Sequence, residues 1–200
     1  MKNIVITIGR EYGTGGRYIG EALSKRLNIP FYDKEIISKT YEKNGGNYSK
    51  LLEYDERKRN KLLDEFNRII SLGYSQIDSK DYDELMERTI KDLSQESCII
   101  LGRSANKILQ NNDNVINVFI YSNNLDFKIK RKMEIENIDY NEALKRQRET
   151  DKNRKSYYES LNKGCIWGDK KEYDILIDSG IIGVEKTVDF LENIYKLNNR

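Results

Sequence analysis

The feature that most constrains this chain is a β-branched run, Asn3-Ile-Val-Ile-Thr-Ile8, followed by the glycine cluster Gly9-Arg-Glu-Tyr-Gly-Thr-Gly-Gly-Arg-Tyr-Ile-Gly20. The run predicts a buried strand, and the helical pattern after the cluster predicts a helix. Gly13, Gly15 and Gly16 allow a tight turn that presents successive N–H groups beside the positive end of the helix dipole. The stretch therefore predicts a strand, an anion-binding loop and a helix, and a phosphate would fit the loop.

Two arginines, Arg10 and Arg17, flank the loop, and both are able to donate charge-assisted hydrogen bonds to a phosphate. The loop matches neither common consensus. A Walker A loop has four residues between its first glycine and Gly-Lys-Ser/Thr, whereas five residues separate Gly9 from Gly15 and a glycine replaces the lysine. The dinucleotide fingerprint needs a glycine where Tyr18 stands. A plain strand-to-helix turn, in which the glycines only permit close packing, is the alternative.

The composition restricts the chemistry available to the chain. Its 200 residues suffice for one α/β domain that carries a smaller subdomain. Histidine is absent, which excludes a nucleophile activated by histidine. A formal net charge of +2 gives no overall basic field that would favour nucleic acid. Phosphoryl transfer suits such a chain, because it depends chiefly on positioning and on neutralising charge.

The two cysteines, Cys98 and Cys165, are too few for a disulfide scaffold or a zinc cluster. Cys98 stands beside apolar residues and is expected to be buried. The chain starts without a secretory signal, and no apolar run reaches the length of a membrane span. These features predict a cytoplasmic protein that binds neither nucleic acid nor membrane, and they leave its oligomeric state open.

The rest of the chain alternates between strand and helix patterns. Helices are predicted after the loop to residue 27, within 48–71 and 81–93, at 125–136 and 141–158, and from 184 onward, and strands at 28–32, 97–101, 115–121 and 173–178. This order predicts a three-layer α/β/α fold with a parallel sheet of about five strands.

Charged residues near the predicted strand ends are candidate site residues. Asp33 follows the second strand, where it either caps the next helix or faces a substrate. Arg103 follows an apolar strand, so it should point into the crevice at the carboxyl edge of the sheet, although a surface arginine is the alternative. The segments 125–136 and 141–158 have mixed charge, which is typical of a solvated helical face. Their alternative role is a lid whose cations cover transferred phosphates.

Several of these stretches together resemble the cytidylate kinase-like family, a branch of the P-loop nucleoside monophosphate kinases. They are Ile6-Thr-Ile-Gly-Arg-Glu-Tyr-Gly-Thr-Gly-Gly16, Ile29-Pro-Phe-Tyr-Asp33, Leu101-Gly-Arg103, Asp151-Lys-Asn-Arg154 with Tyr157-Tyr158, Trp167-Gly-Asp169 and Tyr173-Asp-Ile-Leu-Ile-Asp-Ser179. The resemblance implies one P-loop kinase-like domain with a core at 1–40 and 97–200, a helical substrate-binding insertion at about 41–96 and a lid at about 128–158. It also implies transfer of a phosphoryl group from ATP, with Mg²⁺, to a nucleoside monophosphate such as CMP or dCMP.

The resemblance also suggests roles for individual residues. Those for the ATP phosphates are Arg10, Gly13, Thr14, Gly15, Gly16 and Arg17. Those for the acceptor are Asp33, Arg103 and Arg154, and those for the catalytic step are Arg17, Arg131, Arg148 and Asp151. Asp33 or Asp151 could also hold Mg²⁺ through water, and the direct metal ligands stay unassigned.

The chain departs from cytidylate kinases at the start of the first helix. Those enzymes have Gly-Lys-Gly-Thr where this chain has Gly15-Gly-Arg-Tyr18, so the phosphate-binding lysine and the hydroxyl near magnesium are missing. Arg17 or Arg10 would have to replace the lysine. A nucleotide-binding sensor that has lost phosphoryl transfer is therefore the alternative function. RNA binding is a weaker alternative, because acidic residues interrupt the basic helices.

Overall fold

The computed structural model describes residues 2–33 and 79–199. Its strands are β1 (Val5–Arg10), β2 (Phe31–Tyr32), β3 (Cys98–Leu101), β4 (Val115–Tyr121) and β5 (Ile175–Asp178). Its helices are α1 (Gly16–Leu27), α2 (Ser79–Leu93), α3 (Ala105–Ile108), α4 (Leu125–Glu136), α5 (Tyr140–Leu161), α6 (Ser179–Ile182) and α7 (Val184–Asn198). The helical segment predicted within 48–71, the helix predicted after Asp33 and most of the predicted insertion lie outside the described residues.

The five strands form one parallel sheet in the order β2-β3-β1-β4-β5. In the central strand β1, Ile8 pairs with Leu101 of β3, and Arg10 pairs with Ile120 of β4. The carboxyl ends of β1 and β3 therefore meet at one edge, where open α/β sheets bind their ligands. The predicted parallel sheet is confirmed.

Two apolar clusters cover the two faces of the sheet, because successive side chains of a strand point to opposite sides. Ile6 and Ile8 of β1 belong to a cluster with Leu23 of α1 and Leu191 of α7. Val5 belongs to the cluster on the other face, which α2 and α3 complete. With both faces covered, β1 is apolar almost throughout. The predicted three-layer fold is confirmed.

Element boundaries differ from the sequence prediction chiefly at β1. Gly9 and Arg10 belong to the strand, because they continue its ladder with Phe119 and Ile120 of β4. The glycine loop is therefore shortened to residues 11–15. The helices α3 and α6 were not predicted, since four residues are too few to show a helical period.

Asp178 fixes the carboxyl end of β5. Its Oδ1 accepts the N–H of Gly180 at 2.9 Å and its Oδ2 accepts the N–H of Asn123 at 3.0 Å. The Oγ of the next residue, Ser179, donates to the carbonyl of Thr14 in the glycine loop at 2.8 Å. Burial alone would raise the pKa of Asp178, but these hydrogen bonds outweigh it and lower the pKa below its usual value. The end of β5 thus holds the glycine loop.

The substitution Asp178→Asn should make the protein less stable at neutral pH but not at acid pH. A lowered carboxyl pKa stabilises the folded state above the pKa of the unfolded chain, and this gain is lost as the pH falls through the folded pKa. We expect the variant to lose about 1 kcal/mol at pH 7, and the loss to shrink below about pH 4. Urea unfolding at several pH values measures it, with Asp113→Asn in an exposed turn as the control. A loss that stays constant down to about pH 2 would contradict this role.

Candidate functional site

The glycine loop between β1 and α1 depends on two residues with left-handed backbone. Gly13 has φ +82° and Gly15 has φ +84°. A β-carbon on Gly13 would lie 2.6 Å from the carbonyl oxygen of Lys128, so a larger residue would displace the backbone of α4. At Gly13 and Gly15 the main chain of the loop is therefore not covered by side chains of its own, as the sequence predicts.

The N–H groups of this loop form the main feature of the site. Within residues 2–33 and 79–199, the N–H groups of Gly13, Thr14, Gly15 and Gly16 donate to no protein acceptor, although all four residues are buried. Buried N–H groups without an acceptor are rare in folded proteins. Here they are consecutive and lie at the positive end of α1, which is the arrangement that binds phosphate.

Three neighbouring backbone groups of the loop are engaged elsewhere. The N–H of Tyr12 donates to Oδ1 of Asp151 at 2.7 Å. The carbonyl of Glu11 accepts the hydroxyl of Thr14 at 2.9 Å, and the carbonyl of Arg10 accepts Nη1 of Arg154 at 3.1 Å. These bonds hold the loop in a conformation in which its remaining N–H groups point toward one place.

An ion pair between buried Lys128 and half-buried Glu11 lies behind the loop. Oε2 of Glu11 accepts Nζ of Lys128 at 2.8 Å and the N–H of Ser122 at 3.1 Å. The side chain of Lys128 is only 8% exposed. Lys128 belongs to the segment predicted as a lid, yet it anchors the first half of α4 to the loop.

A cavity of about 520 Å³ opens over the loop, within the range of small-molecule sites. It brings together most of the predicted site residues. Those in its lining are Arg10, Gly13, Gly15, Gly16, Arg17, Asp33, Arg131 and Arg154. A smaller cavity beside it is lined by Arg10, Arg103 and Arg154, and two of these, Arg10 and Arg154, line both cavities.

Arg131 of α4 faces the loop across the larger cavity. Its guanidinium carbon lies 3.4 Å from the position that a β-carbon on Gly15 would take. The side chain makes no hydrogen bond or ion pair within the described residues, and burial lowers its pKa. An arginine so placed is available to a phosphate bound on the loop.

Arg17 and Asp33 bind each other. Nη2 of Arg17 lies 2.8 Å from Oδ2 of Asp33, and its Nε lies 2.9 Å from Oε1 of Glu21. The Arg17 guanidinium is thus held at the rim of the cavity by two carboxylates, while Asp33 is 5% exposed.

Three predicted site residues line neither of the two cavities. Thr14 is fully buried and uses its hydroxyl within the loop. Asp151 uses Oδ1 for the loop and Oδ2 for Gln147 at 2.9 Å, and burial raises its pKa. Arg148 is exposed on α5. The structure therefore gives Thr14 and Asp151 contacts that position the loop, and it does not bring Arg148 to the loop.

Sequence reasoning missed a contact between the loop and the helices α4 and α5. The hydroxyl of Tyr12 donates to Oε2 of Glu136 at 2.8 Å, and Nη1 of Arg146 lies 3.0 Å from the same oxygen. Nζ of Lys132 lies 4.5 Å from the centre of the Tyr12 ring. The sequence offers one signal for this contact, because Tyr12 is an aromatic residue within a glycine loop, where small residues are usual. Tyr12 thus joins the loop to the last residue of α4 and, through Glu136, to α5.

The described residues fit a polyphosphate better than a metal ion. The loop and the arginines supply donors, whereas residues 2–33 and 79–199 contain no group of three metal-ligating side chains. The hydroxyl of Tyr18, at the position where kinases place a magnesium ligand, donates to Glu185 at 2.5 Å. Magnesium would have to arrive with the phosphates and keep most of its waters.

The sequence model of a family described as "Cytidylate kinase-like family" matches residues 5–181. The chain belongs to this family. Among solved structures, an uncharacterized protein from Eubacterium ventriosum ATCC 27560 is 31% identical, with 98% of this chain and 99% of that chain covered and a TM-score of 0.74. Shikimate kinase from Bacteroides thetaiotaomicron shares the fold at 12% identity, with 98% and 99% covered and a TM-score of 0.52. None of the curated proteins compared with the chain matches it.

Family membership confirms the predicted resemblance and the kinase fold. A kinase-like family favours a phosphotransferase that binds a nucleotide, in agreement with the anion site at the loop. No helix among residues 2–33 and 79–199 has the length and apolar character of a membrane span.

Glu11→Gln should destabilise the protein strongly, because it leaves the Lys128 ammonium buried without its counter-charge. Loss of one partner of a buried pair typically costs about 3–5 kcal/mol. Glu87→Gln is the matched control, since it breaks the exposed pair with Lys91 and should change stability little. Chemical denaturation measures both variants, and equal losses would contradict the importance of the buried pair.

Proposed function

We propose that this protein transfers the γ-phosphoryl group of ATP to a nucleoside monophosphate, with CMP or dCMP as the leading acceptors. The observation that carries the proposal is the set of N–H groups from four consecutive buried residues at the start of α1, which have no acceptor within the described residues. A polyphosphate supplies the oxygens that such groups require. The family supplies the reaction class.

The donor phosphates would lie on the loop between Gly13 and Gly16. Arg131 faces that position from α4. In phosphoryl transfer a cation in this place stabilises charge as it spreads over the transferred group, and water exclusion strengthens the effect. The chain needs no strong base for this step, which agrees with the absence of histidine.

The acceptor phosphate would lie near Arg103 and Arg154, at the carboxyl end of β3. Arg154 is held by the carbonyl of Arg10 and by Asp151, whose Oδ1 is 3.6 Å from its Nη1. The guanidinium of Arg103 lies 5.8 Å from the centre of the Tyr157 ring. An acceptor held there by two positioned arginines would meet the donor phosphates in line, which is the main requirement of the reaction.

The predicted lid, at about 128–158, corresponds to most of α4 and α5. Arg131 already faces the loop, whereas Arg148 is exposed. Arg148 would therefore contribute only if α5 moved toward the cavity on closure. We accordingly expect Arg131 to contribute more to turnover than Arg148, and Asp151 to act by holding the loop and Arg154.

The proposal is tested by ADP release from ATP and Mg²⁺ in the presence of CMP, dCMP, UMP, AMP or GMP. We expect release that depends on the acceptor and is fastest with CMP or dCMP. ADP release that is fastest with a different acceptor would support phosphoryl transfer and change the assigned substrate. Saturable ATP binding without release for any acceptor would contradict phosphoryl transfer and favour the nucleotide sensor.

Arg131→Ala should lower kcat by at least about 100-fold, because it removes a cation that acts on the transferred group. Folding should be nearly unchanged, since Arg131 makes no hydrogen bond or ion pair within the described chain. Lys130→Ala is the matched control, as it removes an exposed charge from the adjacent position of the same helix. Steady-state kinetics and thermal melting of both variants measure the effect. Equal turnover of Arg131→Ala and wild type would refute the role of Arg131.

A further inference from the structure

The side chain of Arg10 occupies a narrow passage between the glycine loop and the end of β3. A β-carbon on Gly16, the first residue of α1, would lie 2.7 Å from the β-carbon and 2.8 Å from the γ-carbon of Arg10. A β-carbon on Gly102 would collide with the Nη1 atom of Arg10. The Arg10 side chain therefore passes over one glycine and ends against the other.

This path excludes a side chain at position 16. In a Walker A loop the lysine stands at the corresponding position and reaches the β- and γ-phosphates from the start of the helix. Here such a side chain would have to pass through the space that the β- and γ-carbons of Arg10 fill. The glycine at position 16 is thus a steric requirement of Arg10.

We propose that Arg10 replaces the absent lysine and binds the β- and γ-phosphates of the donor from the end of β1. The inference rests on the proposed use of a nucleoside triphosphate and names the residue that makes it possible without the usual lysine. The cation reaches the phosphates from the strand that precedes the loop, whereas in Walker A loops it comes from the helix that follows.

The position of Arg10 suits this role. It lines both the large cavity over the loop and the smaller cavity at the end of β3. Arg103 and Arg154 stand beside it, and burial together with these two charges lowers the pKa of Arg10 well below its usual value. Asp33 and Asp151 oppose this shift only in part. A phosphate between donor and acceptor sites would offset both the burial and the repulsion.

Arg17, the other arginine beside the loop, is less suited to replace the lysine. Its Nη2 and Nε atoms lie against the carboxylates of Asp33 and Glu21 at the rim of the cavity. Its side chain is 59% exposed and lines only the larger cavity, whereas Arg10 is half-buried and lines both cavities. The geometry therefore favours Arg10 over Arg17 as the replacement for the lysine.

The test is calorimetric titration of the full chain with ATP, AMP and inorganic tripolyphosphate. Arg10→Met removes the charge and keeps most of the side-chain length. Arg26→Met is the matched control, because Arg26 is an arginine of α1 outside the cavity that pairs with Asp189 and Glu192. Arg10→Gly with Gly16→Lys moves the cation to the usual position, because glycine at position 10 removes the β- and γ-carbons that exclude a side chain at position 16. Thermal melting verifies that each variant folds.

We expect Arg10→Met to weaken ATP and tripolyphosphate binding about 10- to 100-fold, as expected for a lost charged hydrogen bond, and to leave AMP binding unchanged. The double variant should regain much of the lost affinity, and Arg26→Met should bind as wild type does. A folded Arg10→Met that keeps its ATP affinity, or loses ATP and AMP equally, would overturn the proposal.

Two further outcomes separate this inference from the proposed function. If Arg10→Met does not fold, Gly16→Ala replaces it, because the added β-carbon displaces Arg10; unchanged ATP affinity in that variant would overturn the proposal. Tripolyphosphate binding that depends on Arg10, in a wild type that binds no ATP, would support the phosphate role of Arg10 and overturn the proposed kinase. A wild type that binds neither ligand would overturn both.

Discussion

The site depends on one constraint, which is that four consecutive buried residues at the start of α1 have backbone N–H groups without protein acceptors within the described chain. The neighbouring groups of the loop are bound by α5, by the first residue of α6 and by the loop itself, through Asp151, Ser179 and Thr14. Contacts from two helices and within the loop thus stabilise a conformation in which these four N–H groups have no acceptor. An anion is the ligand that satisfies them.

The cations follow from this arrangement. The loop leaves no room for a side chain at Gly16 once Arg10 lies against it, and Gly102 leaves room for the end of the same arginine. Arg131 faces the loop from the opposite wall, while Arg103 and Arg154 stand toward β3. The charges thus converge on the gap between the glycine loop and the end of β3, where a phosphoryl group would pass from donor to acceptor.

Much of this fold was accessible from the sequence. The bounds of β4 and α4 agree with the hydrophobic pattern and the caps, because both elements have clear periods. The pattern could not show that Arg10 belongs to β1, since its pairing with Ile120 is a long-range contact. It also left two alternatives for the basic helices, a solvated face or a lid over the phosphates, whereas Lys128 is buried against Glu11. The composition of a helix shows which charged residues it contains, but not which of their side chains face the protein interior.

The most direct test is a crystal structure of the full chain with Mg²⁺ and a non-hydrolysable ATP analogue. The account predicts that the β- and γ-phosphates accept hydrogen bonds from the N–H groups of Gly13 to Gly16, with the Arg10 guanidinium on the same oxygens at about 2.7–2.9 Å. An analogue bound elsewhere, or one whose phosphates lie on the loop while Arg10 still faces only protein atoms, would contradict it.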